Sequence, residues 1–331
     1  MKVAIYGAGA IGSWMGVRLA QAGCDVSVVA RGATLEALRA DGLRLESKEV
    51  DCVRVRCSAS PADLGVQELA VIAVKAPAMA DVAKAIGPLI GPDTIVLTAM
   101  NGVPWWFFEG FGARYAGTRL KAVDPEGAIA RAIPAKHIIG CVVHASCSLN
   151  SPGFVKQHFG NKLIVGQPSG EKTARVKELV ALLERAGFEA VLSDQIQKDA
   201  WYKLWGNMTV NPISAFTGAT TDLILNDDLV RGFVSSVMLE AREIGGRIGI
   251  PIDQRPEDRH QMTRKLGAFK TSMLQDVEAG KPVELDALVT VVKELGELTQ
   301  VATPFTDALL GLSRLHARVH GLYPAPRRDS V

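Results

Sequence analysis

The sequence predicts an α/β Rossmann-type N-terminal domain, residues 1–193, followed by an all-α C-terminal domain, residues 194–331. Three observations carry this expectation. A glycine turn, Gly7-Ala8-Gly9-Ala10-Ile11-Gly12, stands between an apolar strand and a helix. Apolar strand runs alternate with helical segments as far as Leu192. From Asp194 onward the apolar positions recur almost entirely at helical spacing.

Val3 to Tyr6 form a short apolar run, as suits a strand covered on both faces. Met15, Leu19 and Ala22 recur at helical spacing, Gly23 stops that helix, and Val26 to Val29 form the next strand. In this setting Gly7 permits a tight turn, Gly9 lets the backbone approach a pyrophosphate, and Gly12 lets the helix pack close to the sheet. The helix start, with its free N–H groups, faces the phosphates, so residues 7–12 (Ala8, Ala10 and Ile11 among them) are read as dinucleotide-binding. The end of the second strand selects the cofactor. An NAD-preferring site places Asp or Glu there to accept from the ribose. This chain has Ala30-Arg31-Gly32, and a guanidinium suits the 2′-phosphate of NADP(H).

Composition narrows the class. The 331 residues suffice for two cores, and 48% hydrophobic residues describe a globular chain. A formal charge of +2 argues against nucleic acid or an anionic membrane as partner. The five cysteines, at 24, 52, 57, 141 and 147, form no CxxC pair and are odd in number, which does not suit a disulfide framework. Glycines, Arg18 and Gln21 break up the apolar stretch after Lys2, so no secretory leader is expected, and a cytoplasmic location follows. No uninterrupted apolar run reaches the roughly 18 residues of a membrane span.

Along the chain, Thr34–Ala40 reads as a helix, and Leu43–Glu46 and Cys52–Arg56 alternate as strands. Leu69–Val74 is a fully apolar strand ending at Lys75. Ligands of open α/β sheets lie beyond the carboxyl ends of the strands, so Lys75 is expected to meet cofactor or substrate. A helix over Asp81–Ile90 and a strand over Thr94–Thr98 lead to Asn101-Gly102, where the asparagine is either a site residue or an ordinary turn residue. Trp105-Trp106-Phe107-Phe108 are expected to cap the sheet edge or line a cleft rim. Ile138–Ser146 and Gly153–Gly166 read as strands, Glu171–Arg185 as an amphipathic helix, and Glu189–Leu192 as a last strand. Helices are expected over 194–215, 227–248, 255–278, 284–300 and 304–319, with a disordered tail over 323–331.

Lys203, Asn207 and Asn211 stand at i, i+4 and i+8 and share one helix face among Trp201, Leu204, Trp205 and Met208. Such polar groups are costly to bury alone. They fit a ligand rich in oxygen atoms or, alternatively, an internal hydrogen-bond ladder. A partly buried lysine has a lowered pKa, which suits a group that polarises a ketone and then yields a proton. Glu284 lies near a helix start, where a carboxylate is stabilising in any case. His316 and His320 are i, i+4, but the H-E-x-x-H glutamate is absent and arginines flank them, so no metal is expected.

In this order and spacing, GAGAIG at 7–12, Arg31, Val-Lys75-Ala, Asn101-Gly102, Trp201-Tyr-Lys203-Leu with Asn207 and Asn211-Pro212, Ser272-Met-Leu-Gln-Asp276 and Glu284-Leu-Asp286 resemble the ketopantoate reductase family (2-dehydropantoate 2-reductases) over nearly the whole chain. The resemblance implies NADPH-dependent reduction of a 2-oxo acid in a cleft between the two domains. It implies Lys203 as general acid, with Glu284 orienting the site and contacting the cofactor domain. Asn207, Asn211 and Ser272 become substrate ligands, Ser272 on the carboxylate. Asn101 lies between nicotinamide and substrate, Arg31 and Lys75 contact the 2′-phosphate end, and Ser146 makes a backbone cofactor contact. The sequence departs from the family pattern at Val289-Thr290, where Asn-Gly is common, at Thr221 and Phe269, where asparagines are common, and in a longer, more aromatic 104–137 segment. The alternatives are a paralogue reducing another branched or bulky 2-oxo acid and a catalytically silent NADP-binding sensor. Helical substrate domains often dimerise, so a homodimer stays open, although no seam is specified.

Overall fold

A computed structural model of the chain describes residues 1–325. The order of elements is β1 (Lys2–Tyr6), α1 (Ala10–Gln21), β2 (Asp25–Val29), α2 (Gly32–Asp41), β3 (Leu43–Glu46), β4 (Val50–Val53), β5 (Arg56–Ser58), β6 (Gln67–Ile72), α3 (Met79–Ala85), β7 (Ile90–Thr98), α4 (Ala128–Ala132), β8 (Ile138–Ser151), β9 (Phe154–Gly166), α5 (Ala174–Arg185) and β10 (Glu189–Leu192). The helical half follows: α6 (Ile196–Thr217), α7 (Thr221–Asn226), α8 (Asp228–Arg247), α9 (Pro256–Arg264), α10 (Ser272–Glu278), a π-helical turn (Asp286–Thr290), α11 (Val291–Thr299) and α12 (Pro304–Val319).

All ten strands form one sheet in the order β4-β3-β9-β8-β7-β6-β1-β2-β5, with β10 also on β9. β1 lies parallel between β2 and β6. From β1 the chain runs to β2, crosses to β3 and β4 at the far edge, comes back to β5 beside β2, and then enters β6 on the other side of β1. That reversal opens a crevice at the carboxyl ends of β1 and β6, where open α/β sheets take their ligands. The β8–β9 hairpin is antiparallel, which makes the sheet mixed.

Two apolar layers cover the sheet. One packs Trp14, Met15, Leu19 and the α5 leucines against one face; the other packs Met79, Val82, Trp105 and Trp106 against the other. The third core fills the helical half, and it recruits Val103, Phe107, Phe108, Phe111, Tyr115 and Leu120 from the segment after β7. The aromatic run expected at a sheet edge or cleft rim is therefore buried. Trp106 donates its indole N–H to Thr98 Oγ1 at 3.1 Å, and Phe107 and Phe108 are at most 1% exposed. Aromatic side chains contribute large apolar areas, so two adjacent pairs knit the two cores together.

The helix expected over 255–278 is two helices. Gly267 takes a left-handed backbone (φ +64°) that glycine adopts without a Cβ penalty, and Thr271 caps α10 by accepting from Leu274 N. The helix expected over 81–90 stops at Ala85, ahead of Gly87-Pro88. Of the tail expected to be disordered, Tyr323 donates its hydroxyl to Asp286 Oδ1 at 2.6 Å, and residues 326–331 lie outside the described residues. No helix among the described residues is long and apolar enough to cross a membrane.

Candidate active site

The glycine turn is built as its sequence requires. Gly7 has φ +102°, and a Cβ there would lie 2.6 Å from Val74 Cγ1. A Cβ on Gly12 would lie 2.0 Å from the Gly7 carbonyl oxygen and 3.1 Å from Ala73 Cβ, so α1 can reach β1 and β6 only through glycine. Gly9 caps α1 without a side-chain acceptor, and Ala10, Ile11 and Gly12 open the helix, with no acidic residue in its first turn. A groove of about 310 Å³ runs along this turn, bounded by Gly7, Ala8, Gly9, Arg31, Val74 and Leu149. Arg31 is exposed at the start of α2 and lines the same groove as Val74. The groove suits the phosphate-bearing end of a dinucleotide, with backbone N–H groups at the helix start and the Arg31 guanidinium at the β2 end.

Lys203 reaches across from α6 to the sheet. Its ammonium donates to Asn101 Oδ1 at 2.7 Å and to the Val143 carbonyl of β8. Burial pulls its pKa down to about 8, with Glu284 opposing and Arg259 adding to the fall. Asn101 holds its position because Gly102 (φ +85°) tucks against the π-helical turn, where Val103 N donates to the Ala287 carbonyl at 2.9 Å. Asn207 and Asn211 follow Lys203 at one and two turns. Among the described residues neither amide bonds to another side chain, so the internal ladder does not form. Asn211 is 6% exposed. Ser272 is the first residue of α10, which packs on α6.

Glu284, 8% exposed, accepts from Ala76 N at 2.8 Å, just past the end of β6. Burial raises its pKa, opposed by the Ala76 N–H and by Lys75. Lys75, expected at the 2′-phosphate end, has its ammonium ion-paired with Asp276 of α10. Ser146 lies on β8 between Val143, the acceptor of Lys203, and Leu149 of the groove. Lys203, Asn101 and Glu284 thus meet where the two halves face each other, while Arg31 and residues 7–12 line the adjoining groove.

Two positions that depart from the family pattern have settled internally. Thr221 donates its hydroxyl to the Gly267 carbonyl at 2.9 Å, and the Phe269 ring sits edge-on to Phe159 at 6.0 Å. One residue was missed in the sequence: Arg259 of α9, whose guanidinium rests against Gly206 of α6. Its only sequence signal is a glycine inside an otherwise continuous helix.

The family model described as Ketopantoate reductase PanE/ApbA matches residues 3–170, and its C-terminal companion matches residues 195–317. The chain belongs to the ketopantoate reductase family. It is 44% identical to a 2-dehydropantoate 2-reductase of Mesorhizobium japonicum over 98% of this chain and 100% of that one. A 2-dehydropantoate 2-reductase of Archaeoglobus fulgidus is 27% identical over 95% and 97%. A crystal structure of the Geobacter metallireducens GS-15 2-dehydropantoate 2-reductase superposes with a TM-score of 0.84 at 28% identity, covering 95% of this chain and 99% of that one. The mixed sheet followed by a helical half is the architecture of ketopantoate reductases.

Proposed function

We propose that this chain reduces 2-dehydropantoate (ketopantoate) to pantoate with NADPH, the reduction used in pantothenate synthesis. The observation that carries this reading is the Lys203 ammonium, bridged to Asn101 and Val143 across the cleft beside Asn207 and Asn211, whose amides bond to no other side chain among the described residues. When bound, NADPH supplies the hydride that adds to the C2 carbon. Residues 7–12 and Arg31 would hold its phosphates. Lys203 donates a proton to the ketone oxygen as that oxygen gains charge, then regains one from water. Asn101 fixes the ammonium in line with the ketone, and Asn207, Asn211 and Ser272 offer neutral hydrogen bonds to substrate oxygens. Glu284 positions the strand exit over the cleft and balances the Lys203 charge. The unpaired cysteines support a reducing, cytoplasmic compartment.

The test follows the loss of NADPH absorbance with ketopantoate beside a panel of other 2-oxo acids. Saturable turnover that favours ketopantoate is expected; absence of turnover with every acid, despite tight NADPH binding, would leave a silent NADP-binding protein. A second reading rests on Thr221 and Phe269. Their bonds and packing leave fewer polar groups for a substrate's distal hydroxyl, which favours a bulky 2-oxo acid without one. Preference for such an acid in the same panel would select it.

The Lys203 pKa has a sign that can be measured. Protonation is required for reduction, so kcat/KM is expected to be flat below about 8 and to fall about tenfold per pH unit above it. The reverse oxidation needs the neutral amine, so its rate rises with pH and levels off above the same value. A reduction profile still flat well above that pH would remove Lys203 as the acid. At the other end of the cleft, Arg31→Glu is expected to weaken NADPH by about 10- to 100-fold and NADH far less. Fluorescence titration of both cofactors checks this, and equal losses would defeat the 2′-phosphate assignment.

A further inference from the structure

We propose that Arg259 binds the carboxylate of the substrate, its guanidinium seated beside Lys203 in the space that Gly206 leaves on α6. The proposal rests on the reading of the cleft as a 2-oxo acid site. Two residues of α6 hold the guanidinium. A Cβ on Gly206 would lie 2.8 Å from Arg259 Nε and 3.0 Å from Nη2, so the missing side chain is what admits the group. Glycine is otherwise unfavourable inside a helix. The Tyr202 ring supports it, with Arg259 Cζ 5.0 Å from the ring centroid. The Tyr202 hydroxyl is itself fixed by donating to Gln254 Oε1 at 2.8 Å. Residues 202 and 206 flank Lys203 on the helix, so the guanidinium lies on one side of the ammonium and Asn207 and Asn211 on the other.

The group is charged and uncommitted. Among the described residues no carboxylate pairs with it, and its Nε is buried with no acceptor. Its charge reaches into the cleft, where it adds to the burial that lowers the pKa of Lys203 and of His144. A 2-oxo acid brings one negative charge on the carbon next to the reacting ketone. Lys203 is required at the ketone oxygen, and Lys75 is paired with Asp276. Arg31 lies in the cofactor groove, and Asn207, Asn211 and Ser272 are neutral, so Ser272, which the family resemblance sets on the carboxylate, can donate to it beside Arg259 but cannot balance its charge. Of these cations, Arg259 is the one left without a carboxylate partner or an assigned role among the described residues. A substrate with its ketone on Lys203 sets its carboxylate one bond away, toward the Nη1–Nη2 end of the guanidinium, since the Nε edge is closed against Gly206.

The test measures binding of oxamate, an unreactive 2-oxo acid mimic, to the NADP⁺ complex by calorimetry, together with the steady-state kinetics of ketopantoate. Arg259→Met is expected to weaken oxamate and raise KM by about 10- to 100-fold, with NADPH affinity unchanged. Arg259→Lys, which keeps the charge and loses the fork, should recover part of the loss. Gly206→Ala is the complementary variant: it improves the helix and displaces the guanidinium, so oxamate weakens while the protein unfolds at the same or a higher temperature. Failure of wild type to bind oxamate, or equal oxamate affinity in wild type and Arg259→Met, overturns the proposal. If oxamate binding falls as expected while ketopantoate is not turned over, the carboxylate site stands and the substrate named above falls.

Discussion

Replacing Lys203 by alanine is expected to lower kcat for 2-oxo acid reduction by about 100- to 10,000-fold, the range set by loss of one positioned general acid. NADPH binding should stay within about twofold, because the glycine turn and Arg31 lie on the sheet half and Lys203 does not line their groove. The split matters more than the size. A loss confined to turnover locates the defect at proton delivery, whereas a parallel loss of cofactor affinity would mean that the variant had disturbed the cleft as a whole. Stopped-flow single turnovers with saturating NADPH separate the two. Wild-type rates in Lys203→Ala would remove the ammonium from the mechanism. Asn101 and Val143 accept from that ammonium, so alanine also leaves two acceptors without their donor, and water can fill the space.

Gly102→Val is expected to be the most damaging change outside the reacting groups. A side chain there must adopt φ +85°, which valine resists, and its Cβ would lie 2.4 Å from the Ala287 carbonyl oxygen and 2.8 Å from Ala287 Cβ. The turn must then lift off the π-helical turn and give up the bond from Val103 N to Ala287. Asn101, one residue earlier, moves with it and releases Lys203. Stability should fall by about 3 kcal/mol, within the range for backbone strain combined with a steric clash. Turnover of the folded fraction should fall by at least about tenfold. Urea melts beside activity per folded molecule check both effects. Unchanged stability would mean that the two halves do not touch as tightly here as the distances require.

The cofactor half was legible because its signals are local. A glycine pattern between an apolar strand and a helix lies within a dozen residues, and Gly7 and Gly12 each answer to a close contact in the folded chain. The Lys203–Asn207–Asn211 stripe was legible for the same reason, since one helix carries all three. What stayed hidden depends on contacts between distant segments. The Lys75–Asp276 pair joins residues far apart in the chain, and no periodicity announces it. Trp105 to Phe108 read as a rim because their neighbours in sequence are turn residues; their burial comes from two separate cores closing around them. Arg259 looks like any charge on an exposed helix, and only the contact of its side chain with Gly206 of α6 gives it meaning. The break between α9 and α10 was concealed by helical spacing on both sides of Gly267.

The path of residues 103–120 bears on how the molecule is assembled. The chain leaves the sheet after β7, plants Phe107, Phe108 and Phe111 among the side chains of α6 and α8, and then returns to supply β8 and β9. The nucleotide-binding half and the helical half are therefore not beads on a string. Severing the chain after β10 would leave the first piece with a bare aromatic plug and the second with a hollow where that plug belongs, and neither piece would keep its own interior intact. The shared interior couples loss of structure in one half to loss of packing in the other. In evolution the same threading makes the two halves inseparable partners: a helical half borrowed from a distant relative would have to fit this plug as well as the cleft. The cleft geometry is thereby tied to the interior of the protein and not to a hinge alone.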